Sequence, residues 1–242
     1  MPHWRFWPFS RKRHQASSAD PSVAEMPNAI PHTPDTDVSQ VASVPPPRIV
    51  PRADLPPLAS LLDEIQSLTS LQDLPRKIRL LWEAIHRVEA GEGDPVLWAL
   101  LQTNLGVALA QNPLDNRADN LEQAVAAYEA ALIILNRTNF REEWATVHLN
   151  LGNAYALRVR GDRADNIERA IAAYEAAFTV NTHDDFPIEW ADTQNDLGGS
   201  YRDRLLGNPA ENIESAITAF KAALTVRTRE KYPTEWAEST FN

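Results

Sequence analysis

The sequence predicts an all-α solenoid, a series of antiparallel helix pairs stacked behind a Pro-rich leader. Three observations predict it. Trp98, Trp144, Trp190 and Trp236 stand 46 residues apart, as do Gly106, Gly152 and Gly198. Asn120, Asn166 and Asn212 keep the interval, and Tyr128, Tyr174 and Phe220 follow Ala124, Ala170 and Ala216 by four residues. Tryptophan fills only 7 of 242 positions, so four in register mark a repeat rather than chance. Within each period, apolar residues recur at i, i+3, i+4 and i+7, the spacing of a buried helical stripe.

Residues 1–57 form the leader. They hold 12 of the 18 prolines, no glycine and a net charge of +1. Such a segment has too little apolar content to build a core and is expected to be a disordered tether. Its start, MPHWRFWPFSRKRH, sets Trp4, Phe6, Trp7 and Phe9 beside Arg5, Arg11, Lys12 and Arg13. Three roles stay open for it: a tail without specific role, a short docking peptide, or contact with an anionic membrane surface.

Residues 58–91 read as a degenerate helical pair that caps the first repeat. One helix runs from about Leu58 and a second from Pro75. Three repeats follow at about 95–140, 141–186 and 187–232, each with a first helix entered near its Trp and a second helix after its Asn. Asp119-Asn120 and Asp165-Asn166 read as second-helix starts, with Glu122 and Glu168 three residues after the Asp. The second-helix stripe is Leu121, Ala124, Tyr128 and Leu132 in repeat one, and Ile167, Ala170, Tyr174 and Phe178 in repeat two. In repeat three it is Ile213, Ala216, Phe220 and Leu224. Gly161 and Gly207 fall in the turns. Residues 233–242 begin a fourth first helix and stop, which suits a fragment of a longer array or an open end that pairs with something.

Composition excludes several functions. No cysteine means no disulfide, thiolate metal site or cysteine nucleophile. No apolar run approaches transmembrane length, and no secretory h-region is present. Beyond the leader the net charge is −11, which argues against nucleic-acid binding. The six histidines lack metal-ligand spacing, no phosphate-binding glycine loop occurs, and paired acids such as Asp184-Asp185 read as solvated turn charges. The run Arg158–Arg163 reads as a charged loop supporting its own turn, with anion binding as the sharper alternative. The recurrent tryptophans read as packing anchors. No enzyme, cofactor or metal is expected, and the chain is expected in the cytoplasm.

Leu151-Gly152-x-x-Tyr155 followed by Ala170-x-x-x-Tyr174-x-x-Ala177 resembles the tetratricopeptide pattern L-G-x-x-Y…A-x-x-x-F-x-x-A. Leu197-Gly198-x-x-Tyr201 with Ala216, Phe220 and Ala223 is similar, and Leu105-Gly106 departs only by Leu109. The ordinary repeat spans 34 residues. Here six extra residues lie at the intra-repeat turn and six between repeats. This long form looks like the repeats of bacterial proteins that often carry a C-terminal caspase-like CHAT domain. The resemblance covers about residues 94–242 and implies a protein–protein interaction scaffold with a polypeptide partner, or else a regulatory segment of a caspase-like effector system.

The resemblance also implies a concave groove lined by the first helices. Carried over by counting from the Gly, its positions are Thr103, Val107 and Gln111, then Thr146, Leu149, Asn153 and Leu157, then Asp192, Asn195, Arg202 and Asp203. Only Arg202 is basic, so capture of a peptide C-terminus is not expected. A helix or extended segment suits the mixed lining.

Overall fold

The computed structural model describes residues 56–113 and 116–241. The leader, with Trp4, Phe6, Trp7 and Phe9, lies outside the described residues. Nine helices follow one another, and no strand occurs among the described residues. They are α1 (Leu58–Ser67), α2 (Leu74–Arg87), α3 (Pro95–Gln111), α4 (Arg117–Ile134) and α5 (Arg141–Leu157). The series continues with α6 (Arg163–Phe178), α7 (Pro187–Arg202), α8 (Pro209–Val226) and α9 (Pro233–Phe241). Each helix packs on the next, and α3 also touches α5, as α5 touches α7. The core therefore runs lengthwise through a series of pairs, which is the α-solenoid.

The second helices begin three residues earlier than the sequence signs suggested. Asn116, Asp162 and Asn208 are the N-caps of α4, α6 and α8, each accepting from backbone N–H groups of the first turn. The periodic asparagines serve the turn instead. Asn166 Nδ2 donates to the carbonyl of Arg160 at 2.8 Å, Asn212 Nδ2 to that of Leu206 at 2.8 Å, and Asn120 Nδ2 to that of Asn112 at 3.3 Å. All three are buried. A buried amide that satisfies loop carbonyls fixes how the chain reverses between paired helices. Gly161 and Gly207 complete those turns at φ +78° and +80°, where a side chain would be strained.

Each pair closes around one glycine–aromatic contact. A Cβ at Gly106 would lie 2.5 Å from the Tyr128 ring, and Gly198 stands in the same relation to Phe220 at 2.7 Å. The missing side chain lets the aromatic of the second helix lie against the backbone of the first. Helix α3 is buried almost all round, from Trp98 to Ala110. Its sequence, PVLWALLQTNLGVALAQ, is apolar on every face because α2, α4 and α5 surround it.

The third repeat departs from the stripe expected of it. Leu121 and Ile167 are 0% and 1% exposed, yet their equivalent Ile213 is 46% exposed. Val125 and Ile171 are buried, whereas Ile217 is also 46% exposed. Leu224 does not differ, being half-buried like Leu132 and Phe178. The physical reason is coverage. Helix α5 packs on α4 and α7 on α6, whereas nine-residue α9, about half their length, packs on α8.

Candidate protein-binding surface

The structure divides the eleven candidate groove residues into two sets. Thr103, Val107, Leu149, Asn153, Asp192 and Asn195 are buried, and Thr146 is half-buried. Thr103 Oγ1 bonds its own helix at the carbonyl of Ala99, and Asn153 Oδ1 accepts the Tyr174 hydroxyl at 2.8 Å. Burial pushes that phenol well above its ordinary pKa, so it stays a donor. These residues hold the array together and do not line an open groove.

Asp192 and Asn195 show how the seam between repeats is built. Arg227, just past α8, donates to Asp192 at 2.7 Å and to Ser239 of α9 at 3.0 Å. Ser239 in turn donates to Asn195 at 2.9 Å. Arg227, Asp192, Asn195 and Ser239 are all buried. One period earlier the corresponding residues are Asn181, Thr146, Leu149 and Thr193. Two periods earlier they are Leu135, Leu100, Thr103 and Val147. Leu135 and Val147 are 0% exposed. The seam thus changes from apolar to polar to ionic along the chain.

A second set of contacts clamps neighbouring repeats from outside. Arg158 reaches back to Glu122 with two parallel bonds, 2.9 and 2.6 Å, and Arg204 does the same to Glu168 at 2.7 and 2.8 Å. Each bridge links the loop after one first helix to the preceding second helix, with the same 46-residue offset. The paired Arg204 holds the Glu168 carboxyl below its ordinary pKa. Arg160 pairs with Asp119, also across the repeat boundary. The Arg158–Arg163 run therefore joins repeats rather than only supporting its own turn, although Arg158 also donates to Asn166 at 3.3 Å. The matched spacing of Arg158 with Arg204 and of Glu122 with Glu168 was a readable sign of these clamps.

Gln111, Leu157, Arg202 and Asp203 remain open. Gln111 and Leu157 are half-buried, and Arg202 and Asp203 are exposed. They sit at the C-terminal ends of α3, α5 and α7, which touch one another in order. Arg163 spans this edge, donating to the carbonyl of Ala156 at 2.6 Å and reaching Asp203 at 3.4 Å. Asp203 also accepts from Arg202 at 3.2 Å. The result is an edge on which Leu157 lies between a neutral amide and a cluster of two arginines about one aspartate.

The tryptophans sit at the opposite ends of the first helices. Trp98 is buried and donates to Glu89 at 3.0 Å. Trp144 lies 4.2 Å from the ring of His148, Trp190 meets His183 edge-on at 4.9 Å, and Arg229 stands over Trp236 at 5.5 Å. Only the first is a fully enclosed anchor. Burial lowers the His148 pKa to about 4, so the ring is neutral at physiological pH.

No cluster of three or more His, Asp or Glu side chains able to hold a metal occurs among the described residues, and none of their helices is long and apolar enough to cross a membrane. No family model, curated protein or solved structure matches this chain.

Proposed function

We propose that this chain is a non-enzymatic scaffold that binds a polypeptide partner along the edge formed by the C-terminal ends of α3, α5 and α7. The observation that supports this is the contrast between the two residue sets. Most first-helix positions are committed to seams, whereas Gln111, Leu157, Arg202 and Asp203 are left half-buried or exposed at one end of adjacent, rigidly held helices. An apolar residue flanked by hydrogen-bonding and charged groups fits an extended segment or the side of a helix, with Leu157 as the apolar anchor. The tetratricopeptide-like pattern of Leu151-Gly152-x-x-Tyr155 supports the same class of role.

The test is site-specific photocrosslinking. A benzophenone side chain is placed in turn at Gln111, Leu157 and Arg202, and at the exposed control Thr225. Partner adducts formed from the three edge positions but not from Thr225 support the reading. Adducts that arise equally from Thr225, or from no edge position while the partner still binds, sink it.

A further inference from the structure

The face of α8 that carries Ile213 and Ile217 is unlike every equivalent face in the molecule. Its counterparts on α4 and α6 are covered by the next repeat, and their acidic residues are engaged. Glu122 and Glu168 hold Arg158 and Arg204, while Glu129 and Glu175 accept the hydroxyls of Tyr155 and Tyr201 at 2.7 and 3.5 Å. On α8 the matching positions are Glu214 and Lys221. Neither side chain has a charged partner among the described residues, and both are exposed beside Ile217. Lys221 cannot accept a tyrosine hydroxyl, so this seat departs from the internal pattern at one of its two polar anchors.

We propose that the α8 face is a homodimer interface occupied by a second copy of the same chain. The charge order is self-complementary. Glu214 and Lys221 lie seven residues apart, two helical turns or about 10 Å, on one stripe with Ile217 between them. Two α8 helices laid antiparallel about a twofold axis between Ile217 and Thr218 set each Glu214 opposite the other copy's Lys221. The same axis brings the two copies of Ile217 side by side, offset along the helices by one residue rise of about 1.5 Å, with Ile213 flanking. This is the isologous arrangement of a twofold dimer. The isoleucines supply the buried apolar area, and the two ion pairs fix the antiparallel direction. The patch is small, so the dimer is weak and concentration-dependent. It involves no residue of the edge assigned above to a partner, and the two assignments stand or fall separately.

The test is sedimentation equilibrium of the full chain over a concentration series. The expected result is an average mass rising from 27.1 kDa toward that of a dimer. Glu214→Lys leaves four cations at the interface and Lys221→Glu leaves four anions, so each alone weakens the dimer by roughly tenfold or more. Mixing these two variants restores association as a heterodimer, and the double exchange Glu214→Lys with Lys221→Glu restores the homodimer. All the substituted positions are exposed, and unchanged circular dichroism checks that the fold is intact. A chain that stays monomeric throughout overturns the proposal, as does a dimer that persists unweakened in both single variants. A monomeric chain that instead binds a synthetic helix copying residues 187–206 overturns it in favour of a repeat-type occupant.

Discussion

The ring of Tyr174 approaches the backbone of Gly152 so closely that a Cβ there would stand 2.6 Å from ring carbon Cε1. The aromatic is 1% exposed and its hydroxyl is tied to Asn153, so it has nowhere to retreat. Gly152→Ala is expected to destabilise the chain by ~1–3 kcal/mol, outweighing the ~1 kcal/mol that alanine gains over glycine in a helix. Gly199 is the matched control, because a Cβ added there meets nothing within 4 Å. Gly199→Ala should stabilise by about 0.5–1 kcal/mol. Urea midpoints of the two variants should move in opposite directions, and movement in the same direction would contradict the packing account.

His148 gives stability a pH dependence of defined sign. Its pKa is lowered to about 4 by burial, while in the unfolded chain it titrates near the ordinary value of about 6.5. The contribution is fully present above that value. It is lost as pH falls toward 4, because the unfolded state takes up a proton that the folded state refuses. The loss is on the order of 1–2 kcal/mol once the ring's partial solvent contact is allowed for. His148→Phe should be less sensitive than the parent between pH 7 and pH 4.5. A stability difference between the two chains that does not change with pH would refute the assignment. Glu168 acts lower, since its paired carboxylate contributes above about 4.5 and loses that share only as pH falls further.

The Arg204–Glu168 clamp is about 30% exposed on both sides, so its worth is modest. A double-mutant cycle with Arg204→Gln and Glu168→Gln should give a coupling of roughly 0.5–1 kcal/mol that shrinks in high salt. The Arg158–Glu122 cycle should give a similar value, as its geometry and exposure are similar. Zero coupling in both would reduce these repeats to incidental contacts.

Arg227 is a different case because it is enclosed. Arg227→Leu removes the guanidinium from the buried Asp192 carboxylate and should cost ~3–5 kcal/mol in the attachment of α9. Hydrogen exchange should report this as loss of protection at 233–241 with the first two repeats little changed. Rebuilding the whole seam on the first one, with Asp192→Leu, Asn195→Thr, Arg227→Leu and Ser239→Val, should recover protection. Failure to recover it would show that the seam residues are not interchangeable by position.

The repeat period and the pairing of helices were legible in the sequence because they rest on regular spacing, whereas the contact of each periodic glycine with an aromatic 22 residues on was not. Asn166 was visible as periodic but was misread as a helix start. Its real partner, the Arg160 carbonyl, lies in a turn whose path no spacing rule reveals. Leu149 and Asn195 were misplaced for a related reason. Positions counted from the glycine assume an ordinary repeat, whereas the extra inter-repeat residues bring Leu135, Asn181 and Arg227 into buried seam positions. Exposure of Ile213 could not be read from its own neighbourhood, which matches that of buried Ile167; its sign lay in the short fourth first helix at 233–242.

The change along the seams, from Leu135 to Asn181 to Arg227, lies mostly within the units, because Arg227 and its carboxylate Asp192 belong to the same repeat. What crosses each seam is one residue of the following first helix, Val147, Thr193 or Ser239, so order is written into that position. Placing repeat three directly behind repeat one would set Thr193 at the position that Val147 holds in the first seam, beside Leu135 and Leu100. Placing repeat two behind repeat three would put Val147 where Ser239 meets Arg227, removing that hydrogen bond but leaving the Asp192 carboxylate in reach. Reordering the units therefore costs a seam hydrogen bond at a joint and leaves each unit's own share of the seam intact.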